Sequence, residues 1–251
     1  MNLHFAGADN TAPYNKILLE HGAKNRLESY HSLQKKEPSS GFNLLLDSGG
    51  FVARTKGVPI DVSKYARYIN DNKVQAAFEL DTNSRSETEY NRKYLLNHTQ
   101  ARIIPVYHYS DFAAKDYALL DEFVRDFEYI SIGGVAGEGL GTKNEKALYD
   151  FIFSRTTDKV KVHGLGITAL RILKRYPFYS VDSTSWLSAA RFGNFQSIQD
   201  PNHAEWLKGN RHYLENTTRE IQHWLKVEKF VTDLWSQKGV TWSNEFIRPL
   251  R

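Results

Sequence analysis

The chain has 251 residues, a formal net charge of +4 and no cysteine, with 41% hydrophobic and 25% charged residues. That length suits one large globular domain or two small ones, the apolar fraction is enough for a real core, and the lack of cysteine excludes disulfides, thiol nucleophiles and thiolate zinc sites. The mild basicity, with a pI near 9.0, permits a nucleic-acid partner without demanding one.

The first residues carry no basic stretch followed by a long apolar run, so no signal peptide is expected. No apolar run reaches the roughly 18 residues needed to span a bilayer, and a cytoplasmic, non-membrane protein is expected. Short apolar segments follow one another at 3–7, 43–49, 75–81, 102–108, 129–134, 161–166 and 179–183, most of them ending in Gly, Asp, Ser or His. Between them lie stretches with a helical rhythm at 62–70, 117–127, 147–153 and 169–176; the first shows it in Val62, Tyr65, Ala66 and Ile69. A polar, turn-rich loop occupies 34–41. Strands alternating with helices predict a parallel sheet. The expected fold is α/β, an irregular (β/α)8 TIM-type barrel, with an eighth strand near 194–198. An open doubly wound sheet is the rival. The barrel is assigned to 1–200. Two amphipathic helices, at 203–214 and 218–237, are assigned to 201–251 and pack on it within a single domain.

Parallel barrels place their chemistry at the C-terminal ends of strands. Asp182 stands at such an end, where Phe178-Tyr-Ser-Val gives way to Asp, Ser and Thr. Asp47 ends another segment and is followed by Ser48, Gly49, Gly50 and Phe51; the glycines allow a sharp turn and a close approach to main-chain amides. The plainer reading of Asp47 is an Asx turn. Asp81 ends Phe78-Glu-Leu-Asp and can either accept from the N–H groups of a guanine-like base or cap the next helix. Gly133, Gly134 and Val135 open a glycine-rich loop that reaches Glu138, matching neither the GxGxxG pattern nor a P-loop. Tyr107, His108 and His163 also fall at strand ends. Zinc held by His108, His163 and an Asp is conceivable in a barrel, but no close-spaced His pair supports it, and no metal or cofactor is expected. Arg191, nine residues beyond Asp182, could return over the strand end to steady a phosphate or the carboxylate.

From Phe42 to Gly193 these motifs resemble, in order and spacing, the tRNA-guanine transglycosylase superfamily. Asp47-Ser-Gly-Gly-Phe51 is similar to the family's acid-Ser/Thr-Gly-Gly-Phe motif, whose Asp acts as general acid/base on the base. Leu80-Asp81 resembles the pair that recognises the guanine or deazaguanine ring, and Gly133-Gly-Val-Ala-Gly-Glu138 the loop that contacts the incoming base. His163-Gly-Leu-Gly166 resembles the stretch before the nucleophile, and Asp182 with Arg191 and Gly193 the nucleophile and its trailing Arg-x-Gly. The family's tRNA enzymes carry a cysteine-rich zinc element that has no counterpart in this sequence, and their pocket Gln is replaced by Tyr107 or His108. Compact relatives from phages and bacterial DNA-modification systems act on DNA. The resemblance therefore implies exchange of guanine for a 7-deazaguanine base in DNA, through a covalent glycosyl-aspartate.

The implied partners are nucleic acid, with DNA favoured and tRNA the alternative, a 7-deazaguanine base, and a second copy or a partner subunit. Phe51 and Tyr107 would stack on the base, and Arg54, Lys56, Arg85 and Arg191 would meet phosphates. A phage-encoded protein would work in the host cytoplasm. A barrel enzyme acting on a small metabolite through the same carboxylates, and a binding module without activity, are the competing readings.

Overall fold

In the computed structural model, strands and helices alternate along the chain. They are β1 (Asn2–Ala6), α1 (Ala12–Glu20), β2 (Asn25–Ser29), α2 (Tyr30–Leu33), β3 (Asn43–Asp47), α3 (Gly50–Lys56), α4 (Val62–Asp71), β4 (Ala76–Phe78), α5 (Arg85–His98), β5 (Arg102–Ile104), β6 (Val106–His108), α6 (Tyr109–Ala113), α7 (Tyr117–Asp126), β7 (Tyr129–Gly133), α8 (Thr142–Thr156), β8 (Lys161–Gly164), α9 (Leu170–Leu173), β9 (Ser180–Ser183) and α10 (Tyr213–Gln237). The structure describes residues 1–33, 36–135, 142–156, 160–187 and 213–242.

All strands pair in parallel, in the order β5-β4-β3-β2-β1-β9-β8-β7-β6. The strands at the two ends of that order are neighbours in the chain, divided only by Pro105. Ile104 O accepts from Glu79 N at 3.0 Å on one side, and Pro105 O accepts from Ser131 N at 2.8 Å on the other. The nine-stranded sheet is therefore nearly closed and barrel-like; the rival open sheet would hold β5 and β6 at opposite edges. Proline cannot donate to a ladder, so the change of partner falls where a hydrogen bond is missing anyway. Glu79 mends the seam. Its buried carboxylate accepts from Val106 N at 2.6 Å and from Arg92 Nη1 at 2.9 Å.

The strand absent from the sequence-based expectation is β2. Asn25-Arg-Leu-Glu-Ser29 is too polar to read as a buried strand, yet Arg26 and Glu28 are both fully buried. Arg26 donates to Phe5 O, Gly7 O and Ala8 O at 2.6–2.9 Å, and Glu28 accepts from Asn10 N and Ser39 N. Tertiary partners satisfy the charges that local reading counted as exposed. The expected strand at 194–198 and nearly all of the expected helix at 203–214 lie outside the described residues, as do Arg191, Gly193 and Glu138.

Period-two alternation divides the apolar residues between an inner cluster and outer layers. Ala6, Leu27, Leu45, Phe78, Val106 and Tyr129, one after another around the sheet, pack together inside it. Their alternates, among them Phe5, Ile130, Val162 and Val181, pack outward with Leu120 and Phe123 of α7, Ile152 of α8 and Trp224 of α10. In α10 the buried residues Ile221, Trp224, Val227 and Val231 recur at helical spacing, and Glu228 accepts from Leu3 N at 2.7 Å, which seats the helix on β1. None of the described helices is long and apolar enough to cross a membrane.

Candidate active site

Register brings the polar strand ends to one rim. Ser29 lies beside Asp47, His4 beside Asp182, and His108 beside Gly133. Asp47, Asp81, His108, His163 and Asp182 thus meet at the C-terminal mouth of the sheet, and the electrostatic influence of Asp81 and Asp182 on Asp47 registers their proximity.

Asp47 ends β3 and enters a tight elbow. Its Oδ2 accepts from Gly49 N at 2.9 Å, an Asx turn, while Ser48 Oγ accepts from Gly50 N at 3.2 Å. The plain reading of Asp47 as an Asx turn is thus seen in the structure. Gly49 has φ +78°, and a Cβ there would stand 2.3 Å from His31 Cβ and 2.7 Å from Ser29 Oγ, so only glycine fits. Burial pushes the Asp47 carboxyl up to about 7, and the charges of Asp81 and Asp182 add to the shift.

Asp81 has the opposite environment. His108 Nε2 lies 3.0 Å from its carboxylate and Arg54 Nη1 3.2 Å. Burial alone would raise this carboxyl, but the hydrogen bond and charge of His108, with the charge of Arg54, hold it below its ordinary value. Burial acts against His108 too, yet the bond to Asp81 raises its imidazole. Ser84, not Asp81, caps α5, its hydroxyl accepting from Glu87 N. That removes the helix-cap reading of Asp81. Gly50 approaches so closely that a Cβ would meet Asp81 Oδ1 at 2.7 Å. Beside Asp81 a cavity of about 470 Å³ opens between α3 and the β4–α5 loop, lined by Gly50, Arg54, Pro59, Ile60, Leu80 and Thr82 among others.

Asp182, 8% exposed, is held from β8 and the turn after it. Its Oδ1 accepts from Gly166 N at 2.8 Å and lies 3.3 Å from His163 Nε2. The His163 ring is fully buried, with Nδ1 2.6 Å from Ser180 Oγ, which is in turn 2.5 Å from Tyr129 OH.

The other predicted positions divide. Gly133 ends β7 against His108, where a Cβ would lie 3.0 Å from Nδ1, and Gly134 follows with φ +71°. Phe51 stands 70% exposed at the start of α3. Val135 packs against the outer core layer. Tyr107 does not reach the mouth. It is fully buried in that outer layer and its hydroxyl donates to Asp116 O at 3.2 Å, so the expected stacking on a base is corrected. Of the expected phosphate contacts, Arg54 is engaged by Asp81 and Arg85 pairs with Asp116; Lys56 is exposed. Among the described residues, no group of three or more His, Asp or Glu gathers as a metal-ligand set, so the zinc alternative gains nothing.

Sequence reasoning missed Asp9. It sits in the β1–α1 loop between Ala8 (φ 53°) and Asn10 (φ 40°), near enough to Asp47 to raise its carboxyl, and Arg26 clamps the carbonyls that precede it. The pattern Gly7-Ala-Asp after a short apolar run was the available signal. Gly166, Ser180 and Tyr129 were also missed as partners of the site.

Comparison with known proteins gives no match: no protein-family model and no curated protein matches the chain.

Proposed function

We propose that the chain is a transglycosylase on a TIM-type (β/α)8 barrel, exchanging guanine in DNA for a 7-deazaguanine base through a covalent glycosyl-Asp182 intermediate. One observation carries the reading. Three carboxylates share a barrel mouth in three environments: Asp47 is pushed up to about 7, Asp81 is held low by His108 and Arg54, and Asp182 is gripped by two N–H donors. Environments that push like groups apart assign them different work.

Asp182 Oδ2 attacks C1′ of the target nucleotide. The C1′–N9 bond breaks, its electron pair goes to the departing guanine, and the Asp47 carboxyl supplies the proton. The 7-deazaguanine then enters, Asp47 carboxylate takes its N9 proton, and N9 attacks C1′ as the C1′–Oδ2 pair returns to Asp182. Two inversions retain the configuration, as in retaining glycosidases. A carboxyl that titrates near neutral pH suits both proton transfers. Asp81 accepts from the N–H edge of the base, and exposed Phe51 offers it a ring. The target base leaves its stack to reach the mouth.

The geometry disfavours one hydrolase alternative. Ser180, His163 and Asp182 are linked like a Ser-His-Asp triad, but Ser180 is fully buried below the imidazole and bonded to Tyr129, out of reach of any substrate carbonyl.

The test is to incubate the protein with guanine-labelled duplex DNA or with tRNA, each with 7-cyano-7-deazaguanine, and to measure guanine release by mass spectrometry. Release from DNA alone is expected. Release from tRNA alone moves the protein to the tRNA reading, and release from neither overturns base exchange.

A further inference from the structure

We propose that His163 and the Gly166 amide serve the second half of the exchange by making Asp182 a good leaving group, with Ser180 and Tyr129 fixing the imidazole that does so; this rests on the base-exchange reading above. His163, Ser180 and Tyr129 are positioning residues in the sense that they act through Asp182.

The hydrogen-bond chain has one consistent direction. His163 Nε2 faces a carboxylate oxygen and so must carry a proton, because a bare nitrogen would set lone pair against lone pair. In a neutral ring Nδ1 is then the acceptor. Ser180 must donate to it at 2.6 Å and accept from Tyr129 O–H at 2.5 Å. Every donor and acceptor along the line is used, and all three residues are buried, so no water competes. Strand alternation builds the line: Tyr129 on β7, His163 on β8 and Ser180 and Asp182 on β9 all point inward, with Ser180 in register beside His163. His4 and Phe78 wedge the imidazole at ring distances of 5.9 and 5.1 Å, and burial keeps His4 uncharged.

Both described donors to Asp182 converge on Oδ1, which leaves Oδ2 to form the bond. Gly166 reaches its position at φ +65°, a conformation that suits glycine. While the ester exists, Oδ1 is its carbonyl oxygen. As N9 attacks, the C1′–Oδ2 pair flows back into the carboxylate, and the two N–H groups already point at the growing charge. The same donors stabilise Asp182 before attack, so they slow ester formation and speed its breakdown. Their loss shifts the balance toward trapped adduct.

Two measurements test this. Quenched reactions with guanine-labelled duplex DNA and 7-cyano-7-deazaguanine, resolved on denaturing gels, give the fraction of protein covalently attached to DNA. His163→Phe should slow exchange by about 100-fold and raise the adduct fraction above wild type. His163→Gln, which keeps an N–H donor, should restore much of both, and Ser180→Ala and Tyr129→Phe should show smaller shifts in the same direction. A variant that only disturbs packing loses rate without accumulating adduct, and that result in His163→Phe overturns the proposal. Nitrogen-15 NMR of wild type, with His163 assigned through His163→Gln, should find the proton on Nε2; a proton on Nδ1 alone overturns it even where the variants do not fold. No adduct and no guanine release from wild type would overturn base exchange and the leaving-group role with it, while an Nε2 proton in that protein would still support the hydrogen-bond chain.

Discussion

The two walls of the mouth treat the same side chain in contrary ways. On the β3–β4 wall, Asp47 is surrounded by burial and by other carboxylates, and its charge is unwelcome. Beside it Asp81 is paired with His108 and Arg54 and keeps its charge easily. On the β8–β9 wall, Asp182 forms no ion pair with Lys or Arg among the described residues; the His163 imidazole and the Gly166 amide face its Oδ1. A cation locks a carboxylate in place as an anion and crowding makes it a proton carrier; in the proposed exchange, N–H donors on one oxygen leave the other oxygen of Asp182 to form and release a covalent bond.

The sharpest way to break this contrast is Asp182→Asn, which should abolish both adduct and guanine release, a loss of about 10⁴-fold or more by single-turnover assay. Asp47→Asn should come next, with exchange reduced by about 10²–10⁴-fold and the wild-type pH dependence centred near 7 removed, since the first half needs Asp47 protonated and the second needs it ionised. It also has a stability signature. The folded state holds the Asp47 proton up to about 7, whereas the unfolded chain releases it near the ordinary carboxylate value. The folded protein therefore binds more protons across that window, and its stability falls as pH rises through it. Asp47→Asn should then be more stable than wild type by about 1–3 kcal/mol at about pH 8 and gain nothing near pH 3, as read by denaturant melts. Asp81→Asn should raise KM for the incoming base by about 10-fold or more while leaving kcat closer to wild type. An equal loss in both would mean that Asp81 works in the chemistry. The smallest expected effect is structural: Gly49→Ala should cost about 1–3 kcal/mol in chemical denaturation, through positive φ and the clash with His31.

Much of the mouth was legible in the sequence, for a physical reason. A parallel strand buried on both faces reads as a short apolar run, and its end is marked where the run meets a residue that cannot be buried for nothing. Asp47, Asp81, His108, His163 and Asp182 all sit at such transitions. What stayed hidden depends on long-range contacts. β2 escaped because Arg26 and Glu28 find their partners in carbonyls and amides of the 5–10 and 39 positions. Tyr107 and His108 were both assigned to the pocket wall, although neighbours on a strand face opposite sides; one of them had to point outward, and it is Tyr107. Asp9 lies beyond its strand in a loop whose shape is imposed by Arg26; Gly7-Ala-Asp marks the strand end but does not by itself place Asp9 near Asp47. Ser180 reads as an ordinary strand serine until His163 is placed beside it.

The position of β1 has a consequence for how the chain is made. Its neighbours are β2 and β9, so Asn2 pairs beside Ser180. On a ribosome, β1 emerges before β9 and keeps that edge open until the 180–183 strand has been synthesised. For that interval the nascent protein carries an unpaired strand edge, the kind of surface that recruits stray partners. Asp182 arrives on the strand that covers it, so the carboxylate proposed as nucleophile and the seal of β1 are delivered together. A ribosome stalled before β9 would hold a chain both open-edged and without Asp182 at its mouth.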